Sequence, residues 1–333
     1  MKEMKIEFIN KRGEMTSKQL VSLILIIAAF VIIMIVAMIT WKWGGETITK
    51  EECHESIVLR SAFNFGLANP GQVIPLRCAT EKICLSQGGS DCREFGVSTK
   101  KNPVTKVKLS SDDERAKTEI MDNIANMLYE CNSMLGEGKL NFMETKTSNE
   151  NYCLICSRFS VDADAGSISE IKFVDLYKHL AEKKDDAGRS YLEFLYPGWS
   201  DWRKIYEIFE YMKKIDGKAK DAISSTVSGG SIENWKIEIN EKRSYAVIGQ
   251  MGKEGTQNAW IASTIVGVGT TLLLKGIGGP IGFGFAAKVG AVAGSITFFY
   301  LDPSQKYQYS TPVLIPYDLE NLRNLKCTTF SVS

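Results

Sequence analysis

The stretch Tyr152-Cys153-Leu154-Ile155-Cys156-Ser157-Arg158-Phe159-Ser160-Val161 decides how the chain is read. It is rich in β-branched, aromatic and cysteine residues and lacks glycine and proline, so it predicts a strand. Its two cysteines form a CxxC spacing. Thioredoxin-like chemistry needs that spacing at a helix N-terminus, where the dipole lowers a thiol pKa. On a strand, residues three apart face opposite ways. Cys153 and Cys156 are therefore expected to bond different partners as structural cysteines.

The other cysteines are Cys53, Cys78, Cys84, Cys92, Cys131 and Cys327. The total of eight is even, and none precedes Cys53. Such a distribution predicts four disulfides in an oxidising compartment. What precedes Cys53 explains the asymmetry. Leu20 to Ile39 reads LVSLILIIAAFVIIMIVAMI, 20 residues without a charge. At ~1.5 Å per residue a helix of that length spans the ~30 Å hydrocarbon layer. Trp41 and Trp43 suit the headgroup region, and no small-residue cleavage site follows as a secretory signal would require. Lys2, Lys5, Lys11, Arg12 and Lys18 precede the segment while Lys42 and Lys50 follow it. The positive-inside rule therefore predicts a cytoplasmic N-terminus and an extracytoplasmic main domain.

Lys11-Arg12-Gly13-Glu14, a few polar residues and the long apolar segment resemble the class III signal of archaeal type IV pilin-like proteins. That resemblance implies cleavage after Gly13, although Lys18 stands where many pilins carry Glu. The layout of basic head, anchor and cysteine-containing outer domain also resembles uncharacterised membrane-anchored surface proteins of small-genome archaea. It implies a cell-surface location and no particular activity.

The outer domain is expected to be α+β. Thr49-Lys50-Glu51-Glu52 and Ser111-Asp112-Asp113-Glu114 both have capping-box spacing and predict helices, the first running to about Phe63. In the second, Ala116, Ile120, Ile124, Met127, Leu128 and Cys131 recur at helical spacing, which places Cys131 on the buried face, ready to tie the helix to a sheet. Phe173, Leu176, Tyr177 and Leu180 predict a third helix, and Trp202, Ile205, Tyr206, Phe209 and Met212 a fourth. Strands are expected over 73–78, 82–85, 140–145, 152–161 and 191–196. A hairpin is expected from 235–239 and 245–251.

Trp260 to Leu301 holds nine glycines and only two charges, Lys275 and Lys288. Lys275-Gly276-Ile277-Gly278-Gly279-Pro280 interrupts it, which predicts a glycine-rich helical hairpin. Gly282, Ala286, Gly290 and Gly294 repeat every four residues, a helix-packing groove of small side chains. The hairpin could cross the bilayer twice, lie buried in protein or insert on a trigger. The tail is expected to return to the outer sheet through Val313–Pro316, a short helix over 318–325, and a strand after Cys327. The expected organisation is a cytoplasmic basic head (1–19), a transmembrane anchor (20–43), an extracytoplasmic domain (44–250), the hairpin (251–303) and the tail (304–333).

Chemistry is sparse. A net charge of +1 gives no general attraction to nucleic acid. His54 and His179 lack the neighbouring acids a triad or zinc site needs. Asp162-Ala163-Asp164-Ala165-Gly166 lacks the later ligands of a calcium loop, and no phosphate-binding glycine motif occurs. No catalytic, cofactor or metal residues are assigned. The expected role is a structural, adhesive or assembly component whose partners are the lipid bilayer and, through the hairpin, a second copy or another membrane protein. A pore-forming or fusogenic role for the hairpin and a pilin-like filament subunit are the alternatives.

Overall fold

The structure is a computed structural model. It describes residues 21, 24–31, 33–34, 49–63, 74–100, 102–140, 142, 151–162, 168–197, 199–204, 207, 236–253, 272–273, 286–292, 295–301, 307–325, 327 and 329–331. The chain divides into two compact units, Met1–Thr47 and Ile48–Ser333. In the first, Val21, residues 24–31, Ile33 and Met34 are helical. Their apolar side chains are exposed, Leu25 and Ile26 by 64% and 63%. Among the described residues no helix is long and apolar enough to cross a membrane.

The second unit is a mixed α+β fold with four disulfides. Its strands are β1 (Glu81–Ser86), β2 (Thr105–Lys108), β3 (Asn151–Val161), β4 (Glu170–Lys172), β5 (Lys236–Glu238), β6 (Ser244–Lys253), β7 (Leu272–Leu273), β8 (Ala286–Val292), β9 (Ser295–Leu301), β10 (Tyr307–Pro316) and β11 (Thr329–Ser331). Its helices are α1 (Lys50–Phe63), α2 (Asp113–Met134), α3 (Phe173–Glu182), α4 (Tyr191–Leu195) and α5 (Leu319–Asn324). One sheet runs β2-β1-β3-β6-β10-β9-β8-β7, with β11 added beside β3; β4 and β5 form a separate pair.

Local chemistry sets the helix starts. In α1, Thr49 and Glu52 exchange the reciprocal bonds of a capping box: each backbone N–H donates to the other's side chain, at 3.2 and 3.3 Å. The α2 cap is Asp112, one residue after the expected Ser111; its carboxylate accepts from the Arg115 N–H at 2.9 Å. Residues 191–196 are not a strand. Ser190 accepts from the Glu193 N–H at 3.1 Å and starts α4, so Ser190-Tyr191-Leu192-Glu193 carries a capping-box spacing that the aromatic run obscures.

Other expectations are corrected. Residues 74–78 carry no ladder pairing, and neither do Leu140 and Phe142. Residues 236–239 and 245–251 do not form the expected hairpin: β5 pairs with β4, whereas β6 lies between β3 and β10; residue 235 lies outside the described residues. The fourth helix is described only at Arg203, Lys204 and Glu207.

The glycine-rich region is corrected at its described residues, 272–273, 286–292 and 295–301; the rest of the expected helical hairpin lies outside the described residues. Ala286–Val292 and Ser295–Leu301 are antiparallel strands, not a helical arm. Two residues separate the paired Val292 and Ser295, which is hairpin geometry, and Ser295-Ile296-Thr297-Phe298-Phe299-Tyr300-Leu301 is β-branched and aromatic. A repeat of four aligns residues on one face of a helix, but four is also even, so it aligns them equally well on a strand. Ala286 and Gly290 lie on such a strand; Gly282 and Gly294 lie outside the described residues.

Candidate functional site

The most heavily cross-linked element is β3, whose two cysteines lie on opposite faces by ordinary alternation, and one irregularity decides which later residues share the Cys156 face. Along a regular strand Cys153, Ile155, Ser157 and Phe159 would share a face. Between Ile155 and Ser157, β3 carries one more residue than β6, a β-bulge. The bulge reverses the alternation. Leu154 and Cys156 therefore face the same way as Phe159 and Val161, in the large core under the helices. Cys153 and Ile155 face the other way, into a smaller cluster with Ala246, Ile248, Val313, Ile315 and Leu325.

The two cysteines bond to different partners, one on each side. Cys156 joins Cys131 of α2, tying helix to sheet, and Cys153 joins Cys327 in the tail, across a sequence separation of 174. The remaining bonds are local. Cys53–Cys78 fastens α1 to the segment before β1, and Cys84–Cys92 closes a loop after it. All eight cysteines are thus paired.

On the helix side, α2 packs on β3, β6 and β10. Gly249 on β6 gives it room: a Cβ there would lie 2.0 Å from Leu135 Cδ1 and 3.4 Å from Cys131 Sγ. Tyr309 donates to Asn132 Oδ1 at 2.7 Å, and the Asn132 amide donates to the Phe194 carbonyl at 3.2 Å, so this buried polar pair is satisfied. Gly136 and Gly138, both at positive φ, form the turn after α2, and a Cβ on Gly138 would collide with the Tyr309 ring.

On the opposite side two small clusters meet at Arg158. Cys84, Cys92, Phe95 and Val104 form one, and the tail cluster is the other. The Arg158 guanidinium lies 3.6 Å from the Tyr317 ring centroid and 5.3 Å from that of Phe95. It also donates to Glu94 at 2.6 Å, and Glu94 accepts from Ser244 as well. Gln250 stands in register with Cys153 on β3 and Ser310 on β10. It is 1% exposed, and among the described residues neither its amide oxygen nor its amide nitrogen has a hydrogen-bond partner.

Titratable groups elsewhere form clasps between elements. Lys50 bridges Glu81 at 2.7 Å and also pairs with Glu130. Burial lowers its pKa, but the bonds from both carboxylates outweigh that and hold it above the usual lysine value. Asp122 on α2 accepts from His179 Nε2 at 3.0 Å and from Lys183. Tyr129 and Tyr191 stack with centroids 4.4 Å apart, and burial raises both phenol pKa values. Lys183 lies over the Tyr191 ring and Arg189 over the Phe194 ring, so the chain's own cations occupy this aromatic group. His54 is hydrogen-bonded to the Met134 carbonyl, and among the described residues no group of three or more His, Cys, Asp and Glu could hold a metal ion.

Neither the bulge, Gln250 nor Arg158 was legible as a feature beforehand. A bulge is a relation between two strands, and Arg158 acquires its role only when Tyr317 and Phe95 converge on it. No family model matches the chain, and no curated protein or solved structure matches it either.

Proposed function

We propose that the protein is a membrane-anchored structural, adhesive or assembly component, with residues 1–19 cytoplasmic and the disulfide-bonded unit outside the membrane. One observation carries this reading: all eight cysteines lie beyond the 20-residue apolar segment, and all are joined in four disulfides. The anchor rests on that segment, whose described residues are helical with apolar side chains exposed. Protease added to intact cells should remove the outer unit and spare the N-terminal tag. Protection of both ends would overturn the reading.

A second reading is favoured by the β8–β9 hairpin. Its pairs Ala287–Tyr300, Val289–Phe298 and Ala291–Ile296 join aliphatic to aromatic or aliphatic residues. Of the four alternating pairs, three include Lys288, Thr297 or Ser295 and the fourth, Ala286–Leu301, is apolar. Such two-sided alternation suits a β-hairpin entering lipid. Full-length protein added to dye-loaded vesicles should release dye if this is its role, and intact vesicles would leave the structural reading alone. Filaments that vanish when Gly13 is replaced would mark the component as a pilin-like subunit.

A further inference from the structure

We propose that the C-terminal tail, Tyr317 to Ser331, is a strap locked over one face of the sheet by Cys153–Cys327, and that this disulfide is the reducible one of the four. Three observations converge. First, of the eight cysteines only Cys327 is half-buried, while the other seven are at most 7% exposed. A thiolate needs access to a disulfide sulfur, so Cys327 is the point of attack. Second, the strap's own secondary structure is slight. It comprises the six-residue α5 and the three-residue β11, which pairs with Tyr152–Leu154 of β3. Its apolar anchorage is Leu325, with Tyr317, Leu322 and Cys327 partly buried around it.

Third, the closed state has a built-in fault. Gln250 shares the face that the strap covers and stands beside Cys153, with both amide ends buried and, among the described residues, unpaired. A buried amide without partners favours any rearrangement that returns it to water. The other disulfides lack this combination. Cys131–Cys156 lies beneath α2 in the large core, and Cys53–Cys78 and Cys84–Cys92 join segments close in sequence, at separations of 25 and 8.

The step balances with a dithiol reductant. One of its thiolates attacks Cys327 Sγ, the Cys153–Cys327 bond breaks, and Cys153 leaves as a thiolate that takes a proton. The reductant's second thiol then displaces Cys327 from the mixed disulfide. The reductant ends as a disulfide, and the protein has gained two electrons and two protons as two thiols. The strap can then lift, uncovering Ile155, Ile248, Val313 and Ile315 and the outer edge of Tyr152–Leu154, while the helix side stays stapled.

The test uses the full chain in detergent micelles, treated under native conditions with graded dithiothreitol, alkylated and mapped by mass spectrometry. Cys153 and Cys327 should be modified about ten-fold faster than the other six cysteines. Hydrogen exchange in the partly reduced protein should accelerate at 152–155, 248–250 and 317–331 and remain unchanged in α2. Reduction of all four bonds at one rate, or selective reduction without loss of tail protection, overturns the proposal. Gln250→Leu removes the unpaired amide and should slow reduction of Cys153–Cys327 several-fold. An unchanged rate would show that the amide does not bias the strap. The comparison of rates in the unmodified protein decides the main point even if that variant fails to fold.

Discussion

The two faces of β3 are built differently. Under the helices lies one continuous core running from Ile57 and Leu85 through Ile120, Ile124 and Phe159 to Leu176 and Leu192, closed by Cys131–Cys156. On the other face are two small clusters, held by Cys84–Cys92 and Cys153–Cys327 and joined through one guanidinium. Burial per residue is similar on the two sides, but connectivity is not. A large core shares the loss of any contact among many neighbours and opens only globally, whereas small clusters can open singly. The difference assigns global stability to the helix face and local mobility to the tail face.

The sharpest way to break this comparison is to damage the helix face at its centre. Phe159 is fully buried and stacks with Tyr245 at 5.4 Å between centroids. Phe159→Ala should destabilise the whole unit by about 3–5 kcal/mol. Thermal unfolding followed at Trp and far-UV signals together should shift as one transition. A shift confined to one probe would mean that the large core is not a single cooperative body.

Gly249→Ala probes the same face by overfilling. Its new Cβ would meet Leu135 Cδ1, and Leu135 is itself 1% exposed, with little room to yield. A cost of about 1–3 kcal/mol in chemical denaturation follows. A neutral result would show that the α2 C-terminus is loosely packed on β6.

These residues also show what was legible in the sequence. The α1 and α2 helices, the buried position of Cys131, the separate fates of Cys153 and Cys156 and the return of the tail to the sheet all follow from local periodicity and residue type. Those signals are carried by single segments. The second arm of the glycine-rich region departs from the helical expectation over its described residues because a four-residue repeat satisfies both helical and strand alignment, and the choice falls to β9's Ile296, Phe298 and Tyr300, which pair with β8. Pairings such as β4 with β5 join segments 170–172 and 236–238, which no local pattern links. Gln250 reads as one polar residue in an apolar strand, and its burial depends on elements from three parts of the chain.

Arg158 offers a smaller perturbation on the tail face. Arg158→Leu removes the cation from the Tyr317 and Phe95 rings and the ion pair with Glu94, whose carboxylate keeps its bond from Ser244. The loss should be about 1 kcal/mol. Hydrogen exchange should quicken across 317–325 and stay unchanged in α2. Equal quickening in both would show that the two faces are not energetically separate.

The smallest effect lies at the rim of the helix face, where Asp122 of α2 clasps α3 and the residue after it. Burial raises the Asp122 pKa, but hydrogen bonds from Lys183 and His179 outweigh this and hold the carboxyl below the usual carboxylate value of 3.8. A carboxyl with a lowered folded pKa contributes stability that is fully present above its unfolded value and disappears as pH falls through the folded one. The side chain is 43% exposed, so solvent screening limits the clasp to about 0.2–1 kcal/mol. Asp122→Asn should therefore lower the midpoint of thermal unfolding slightly at neutral pH and by progressively less as pH falls below about 4, where the parent's own carboxyl takes up a proton. Added salt at neutral pH should shrink the same difference, because the pair is reached by solvent ions. A deficit that persists unchanged in acid would mean that Asp122 acts through shape and neutral hydrogen bonding, and that the α2–α3 contact owes nothing to its charge.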